Sequence, residues 1–158
     1  MSVVKQKQIR RAIDQFVSAK DVLRDLGVVR SERLVSEIGE WFFTALFGGC
    51  KADSATQKGW DVSLDNRKIQ IKTHAKGDNN SARWTEYNYT EGACDEVVII
   101  VFTARFYLKE FYRIPISHVV GNLKKSKQKT VLRWNDFAAF RISLNNLPRQ
   151  EIVSLYCD

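Results

Sequence analysis

The chain has 158 residues, 44% of them apolar, and only two prolines and eight glycines, which suits one core-bearing domain and excludes a long disordered linker. Lysine and arginine number 25 against 18 aspartates and glutamates, a formal charge of +7 that favours a polyanionic partner, nucleic acid being the commonest. Cys50, Cys94 and Cys157 are scattered and odd in number, and there are two histidines, so neither a disulfide framework nor a cysteine- or histidine-rich zinc site is expected.

In chain order, Val3 to Leu26 reads as a helix, with Ile9, Ile13, Phe16 and Val17 at helical spacing and Gly27 as its stop. Residues 1–30 are expected to form a helical extension and 31–158 the main domain. The first residues lack an apolar run of the secretory kind, and the longest apolar stretch, Val97 to Phe102, is too short to cross a bilayer. A cytoplasmic protein with no membrane partner is therefore expected.

A second helix follows, with Ser31 as its cap and Glu32 in its first turn. Leu34, Val35, Ile38, Trp41, Phe42, Ala45 and Leu46 form its apolar stripe, and Gly48-Gly49 ends it. At 100° per residue Glu37 falls on the border of that stripe and Glu40 nearly opposite its centre. A carboxylate on the border is held by packing yet still reaches a cleft, which favours Glu37.

Trp60 to Leu64 and Arg67 to Thr73 read as two strands joined by a two-residue turn at Asp65-Asn66. That turn pairs Val62 with Ile69 and Asp61 with Gln70. Opposed residues share a face, and so do residues two apart on a strand. Asp61, Gln70 and Lys72 therefore converge on one face, while Val62, Leu64, Ile69 and Ile71 fill the other. Residues of these types suit phosphodiester cleavage. Such a reaction uses a hard cation held by oxygens, here Asp61, the Gln70 amide and the Ile71 carbonyl. It also uses a positive charge near the phosphate, here Lys72. An amphipathic hairpin with a polar outer face is common, so this grouping alone does not set function.

Ala75 to Gly92 reads as a long polar segment. Its Arg83, Trp84, Tyr87 and Tyr89 suit stacking on bases and equally suit packing onto the body. His74 is placed to touch phosphate or to finish a strand as an ordinary edge residue. Asp95 to Thr103 is a buried central strand, Phe106 to Ile114 another, and Pro115 opens a short helix. Lys124, Lys125, Lys127 and Lys129 make a basic loop suited to nonspecific phosphate contact. Thr130 to Trp134 is a last strand. The whole is an α/β (α+β) domain with a mixed central sheet flanked by helices. No P-loop, GxGxxG or GxSxG pattern occurs.

Glu37 or Glu40 on a helix, then GWD at Gly59 to Asp61, then IQIK at Ile69 to Lys72, resembles the PD-(D/E)XK nuclease superfamily over roughly residues 31–74. The resemblance implies a restriction endonuclease-like core and a Mg²⁺-dependent endonuclease acting on DNA, with Mn²⁺ as a substitute and RNA as an open alternative. It makes Asp61 the metal ligand, Gln70 the second motif position, Lys72 the catalytic lysine and Glu37 the helix glutamate. Two positions depart from the pattern. Gln70 replaces a carboxylate, as in restriction enzymes of the Mrr type, and Trp60 replaces the proline. The first departure implies weaker metal binding and keeps open a module that binds nucleic acid or a partner protein without cutting. Many restriction-like enzymes are dimers, so a homodimer is a further expectation.

Overall fold

The computed structural model describes residues 3–31, 33–54, 57–75, 82–126 and 128–157, and within the first helix the side chains of residues 8, 11 and 15–25. The helices are α1 (Val3–Asp25), α2 (Leu34–Phe47), α3 (Ile116–Gly121) and α4 (Gln150–Val153). The strands are β1 (Cys50–Lys51), β2 (Val62–Leu64), β3 (Arg67–Ala75), β4 (Trp84–Glu86), β5 (Glu96–Phe102), β6 (Leu108–Pro115), β7 (Lys124–Ser126), β8 (Lys129–Arg133) and β9 (Arg141–Ile142). Among the described residues short 3₁₀ turns occupy part of the C-terminal third, those over Trp134–Phe140 being broken by a kink at Phe137.

The main sheet has the order β1-β2-β3-β5-β6-β9, and β3 with β5 is its parallel pair. A second sheet, β4-β8-β7, lies over one face of the first. The domain is thus mixed α/β, with a central mixed sheet flanked by helices on one side and by the small sheet and α3 on the other.

Strand β5 sets this layering. All seven of its residues are buried. Val98, Ile100 and Phe102 face α2 and the C-terminal segment, meeting Phe42, Phe43, Leu46 and Val153. Val97, Ile99 and Val101 face the small sheet, meeting Leu132, Trp134 and Phe137. A continuous apolar run is what a strand covered on both faces requires.

The β2–β3 hairpin has the expected register, Val62 against Ile69 and Leu64 against Arg67. Its turn residues Asp65 and Asn66 have φ of 50° and 62°. Both lie in the left-handed region that matches a two-residue turn to the twist of the strands.

Helix α1 ends at Gly27 (φ 71°), where the Val28 N–H donates to Leu23 O and the Gly27 N–H to Arg24 O. This is the bonding of a Schellman stop. Leu23 packs on Val28, Val29 and Ile38, whereas Phe16, Val17, Val22 and Leu26 stay exposed. Among the described residues no helix is long and apolar enough to cross a membrane.

Four expectations need correction. Ser31 does not cap α2: Arg33 is the N-cap residue, without a side-chain cap, and the Ser31 hydroxyl accepts the Arg33 N–H in a turn before the helix. Glu32 lies outside the described residues. Glu40 is not on a wet face, because Arg30 and Lys51 fold over that side of α2 and leave it 9% exposed. The polar segment contains β4, recruited by pairing with the distant β8. The basic stretch is a hairpin rather than a loop, with Lys124 and Lys125 in β7 and Lys129 in β8. Lys127 lies outside the described residues.

Candidate active site

Strand β2 begins at Val62, opposite Ile69, and leaves the edge of β3 open beyond that pair. Asp61 occupies that gap. Its N–H donates to Ile69 O at 2.8 Å, so the hairpin alignment continues one step past the strand. Its Oδ2 accepts the Ile71 N–H at 2.6 Å and a hydrogen bond from Gln70 Nε2. The N–H and C=O of one strand residue point to the same side, so the Ile71 carbonyl also faces the gap. Because the Gln70 amide nitrogen is turned to Asp61, its oxygen is turned away from it.

Helix α2 reaches this edge through Gly39. A Cβ at that position would lie 1.8 Å from Thr73 Oγ1. Only glycine lets the helix backbone sit this close to β3, and the approach carries Glu37 and Glu40 to the same end of the sheet. A cleft of about 690 Å³ is lined there by Glu37, Glu40, Asp61, Gln70, Ile71, Lys72 and His74, together with Thr85 to Tyr87 from the small sheet.

The electrostatics are those of carboxylates crowded out of water. Burial and then the neighbouring Asp61 charge push Glu40 up to about 7, Glu37 adding to the rise while Lys51 and Arg30 oppose it. Asp61 is also raised, burial outweighing the Ile71 N–H, Lys72 and the Gln70 hydrogen bond. Lys51 is lowered, chiefly by burial. Glu37 is 2% exposed; its Oε2 accepts the Arg30 N–H, and its Oε1 is buried with no hydrogen-bond partner. An orphaned carboxylate oxygen in a cleft is a costly feature that a bound cation or water would relieve.

Lys72 projects from the same face of β3 as Gln70, with Nζ 5.9 Å from the centre of the Tyr87 ring. His74 continues that face. Its Nε2 lies 2.7 Å from Thr85 Oγ1, which also receives the Trp134 Nε1–H at 2.8 Å. Thr85 is buried. An indole N–H only donates, so a Thr85 hydroxyl that gives its own hydrogen to His74 Nε2 satisfies all three groups.

The structure thus brings Glu37, Asp61, Gln70, Ile71, Lys72 and His74 to one cleft, with Glu40 beside them. It does not bring Arg83 there. The Arg83 guanidinium is held by Glu110 through two bonds of 2.7 and 2.8 Å, by Asn135 at 2.8 Å and by Tyr112 at 3.2 Å. The paired arginine in turn holds Glu110 down at about 2. Arg83 is therefore a clamp between the sheets. Tyr87 is core rather than surface, while Trp84 and Tyr89 keep exposed rings. Lys124 and Lys129 form exposed ion pairs with Asp136 and Glu86, and neither lines the cleft.

Sequence reading gave no site role to Arg30, Lys51 or Thr85. The first two precede or follow α2 at positions without a motif. Thr85 shows its role only once β4 is paired.

Among the described residues no three His, Cys, Asp or Glu side chains form a metal-holding group. The donors present include the carboxylates of Asp61, Glu37 and Glu40, with the Gln70 amide and Ile71 carbonyl oxygens nearby. Mg²⁺ typically takes one or two carboxylates and keeps several waters, so this all-oxygen set fits a hard divalent cation. Compared with known protein families the chain matches none, and no curated protein matches it.

Proposed function

We propose that the chain is a divalent-metal-dependent endonuclease of the PD-(D/E)XK, restriction endonuclease-like kind that hydrolyses phosphodiester bonds in DNA. The observation that carries this reading is the meeting of Asp61, Gln70, Ile71, Lys72 and a helix glutamate in one cleft at the open edge of β3.

Asp61 and a helix glutamate, Glu37 or Glu40, with the Gln70 and Ile71 oxygens, would hold Mg²⁺ or Mn²⁺. Such an ion activates water and neutralises charge on the phosphate. The other roles belong to the chain itself. Bonds from Ile71 and Gln70 both go to Oδ2 of Asp61 and fix its carboxylate at the cleft. Lys72 sets a positive charge where negative charge builds up on the scissile phosphate. His74, fixed by Thr85 and Trp134, offers a polar ring to the flanking phosphate. Glu37, with its partnerless Oε1 in the cleft, is the helix glutamate of this reading, and Glu40 beside it is the alternative.

Plasmid DNA incubated with Mg²⁺ or Mn²⁺ is the direct assay. Asp61→Ala and Lys72→Ala are each expected to cut at least about 100-fold more slowly, the usual cost of losing one such group, with unchanged far-UV circular dichroism. Wild-type rates in both variants would sink the assignment.

A second reading rests on the Gln70 bond to Asp61: a neutral amide in place of a carboxylate, with its nitrogen turned to Asp61, leaves one anionic ligand fewer and suits a nuclease-like module that binds without cutting. Calorimetry with Mg²⁺ separates the two. Binding heat that disappears in Asp61→Ala and strengthens in Gln70→Glu supports the enzyme; no heat in any variant supports the module.

A further inference from the structure

The carboxylates of the cleft are backed by cations that lie behind them. Arg30 stands just before α2. Its backbone N–H donates to Glu37 Oε2, and its Nε lies 3.8 Å from the same oxygen. Its Nη2 lies 3.5 Å from Glu40 Oε2. Its Nη1 donates to Ala52 O at 2.8 Å, and the Ala52 N–H donates to Asp61 O at 2.8 Å. One residue thus ties both helix glutamates to the segment that is bonded to Asp61. Lys51 acts on the same two glutamates. Its Nζ donates to Val28 O at 3.1 Å and to Glu37 O at 3.4 Å, and its charge is felt by Glu40 and Glu37. Glu37, Glu40 and Asp61 line the cleft, whereas Arg30 and Lys51 do not.

We propose that Arg30 and Lys51 are positioning residues that take the place of a second metal ion, so that the cleft holds a single divalent cation through Asp61 and a helix glutamate. Two-metal sites keep their ions about 3.5–4 Å apart, which calls for a carboxylate with an oxygen to give to each. Asp61 Oδ2 already accepts the Ile71 N–H at 2.6 Å and the Gln70 amide N–H. An oxygen of a carboxylate has two lone pairs, so Oδ2 is full and Oδ1 is the one left for a cation. Glu37 is in the same position, with Oε2 taken by Arg30 and Oε1 partnerless. Charge argues the same way. Lys72 and Arg33 act on Asp61, so with Arg30 and Lys51 four cations already face the carboxylates of Glu37, Glu40 and Asp61. The first divalent ion is met by the remaining oxygens of Asp61 and Glu37. A second would be left with Glu40, whose charge Arg30 and Lys51 already share, and like charges repel most at such short range. The inference deepens the nuclease reading, on which it rests, by fixing the number of ions the site uses.

The test counts ions without any cutting. Mn²⁺ is titrated into the full chain in the absence of DNA and followed by electron paramagnetic resonance. The loss of the free-ion signal counts the ions bound, and spin coupling reports two ions that sit side by side. Wild type is expected to bind one Mn²⁺ per chain without coupling, and Asp61→Ala to lose it. Arg30→Gln and Lys51→Gln are each expected to bind a coupled pair, while Arg30→Lys stays at one. A residue that only supports the fold would change the melting temperature and not this count. Circular dichroism checks each variant, and Lys51→Gln carries the test if Arg30→Gln does not fold. A coupled pair in wild type overturns the inference and leaves the nuclease reading standing. So does a single ion in both glutamine variants. An ion that survives Asp61→Ala, or no bound Mn²⁺ in wild type, removes both readings together.

Discussion

Glu40 is the residue at which the site's chemistry should be measurable without any substrate. Its carboxyl is raised from 4.5 to about 7 by burial and by Asp61. Between those values the folded chain holds a proton that the unfolded chain has lost. Stability from this group is therefore full below 4.5 and falls as pH rises through about 7, by at most about 3 kcal/mol. The metal-free melting temperature should drop from about pH 5 to about pH 8, and Glu40→Gln should flatten that slope. Mg²⁺ should recover the loss at the upper end. A slope unchanged by Glu40→Gln would sink the assignment. Gly39 is the second informative residue. Gly39→Ala places a methyl on Thr73 and should cost about 1–3 kcal/mol in urea melts, as overpacking does. Adding Thr73→Ala should return only part of it, because the Cβ of residue 73 itself lies 2.8 Å from the added methyl, and Thr73→Gly should return more. If Gly39→Ala is as stable as wild type, α2 does not approach β3 as closely as described.

At the level of elements, the hairpin was the most legible part of the chain. Asp65-Asn66 between two alternating segments fixes a two-residue turn, and the turn fixes the register that sets Asp61 beside Gln70. Asn66→Val, forcing a β-branched residue to φ 62°, should cost about 1–2 kcal/mol and reduce cutting with it. Asn66→Gly should do neither. The buried central strand was equally legible, because a run such as EVVIIVF leaves no polar face. The surroundings of α2 were not. Helical-wheel reasoning weighs one helix alone, so it placed Glu40 in water, whereas Arg30 and Lys51 arrive from outside the helix to cover it. Strand β4 escaped notice for a similar reason: three residues carry no periodicity, and its partner β8 lies more than forty residues away.

For the whole molecule, charge and layering decide behaviour. With a surplus of seven positive charges, DNA binding should weaken as salt rises, linearly on logarithmic axes. A flat salt response would argue against phosphate contact. Leu23 of helix α1 packs in a small apolar cluster with Val28, Val29 and Ile38, separate from the two main cores. Removing residues 1–22 should therefore shift the melting temperature by only a few degrees, about what one to two kcal/mol gives in a domain of this size. A collapse of the fold on that truncation would make α1 part of the core rather than an extension.

The two sheets also constrain the order in which the chain can assemble. Strand β4 sits on the crossover between β3 and β5, yet its partner β8 follows β6. Arg83, one residue before β4, is clamped to Glu110 on β6. During synthesis β4 must wait until both β6 and β8 have been made, and the wall of the cleft that carries Thr85 and Glu86 waits with it. The local β2–β3 edge that carries Asp61 and Lys72 can form early, but the wall facing it is completed late, so a chain cut before β8 has an edge without its wall.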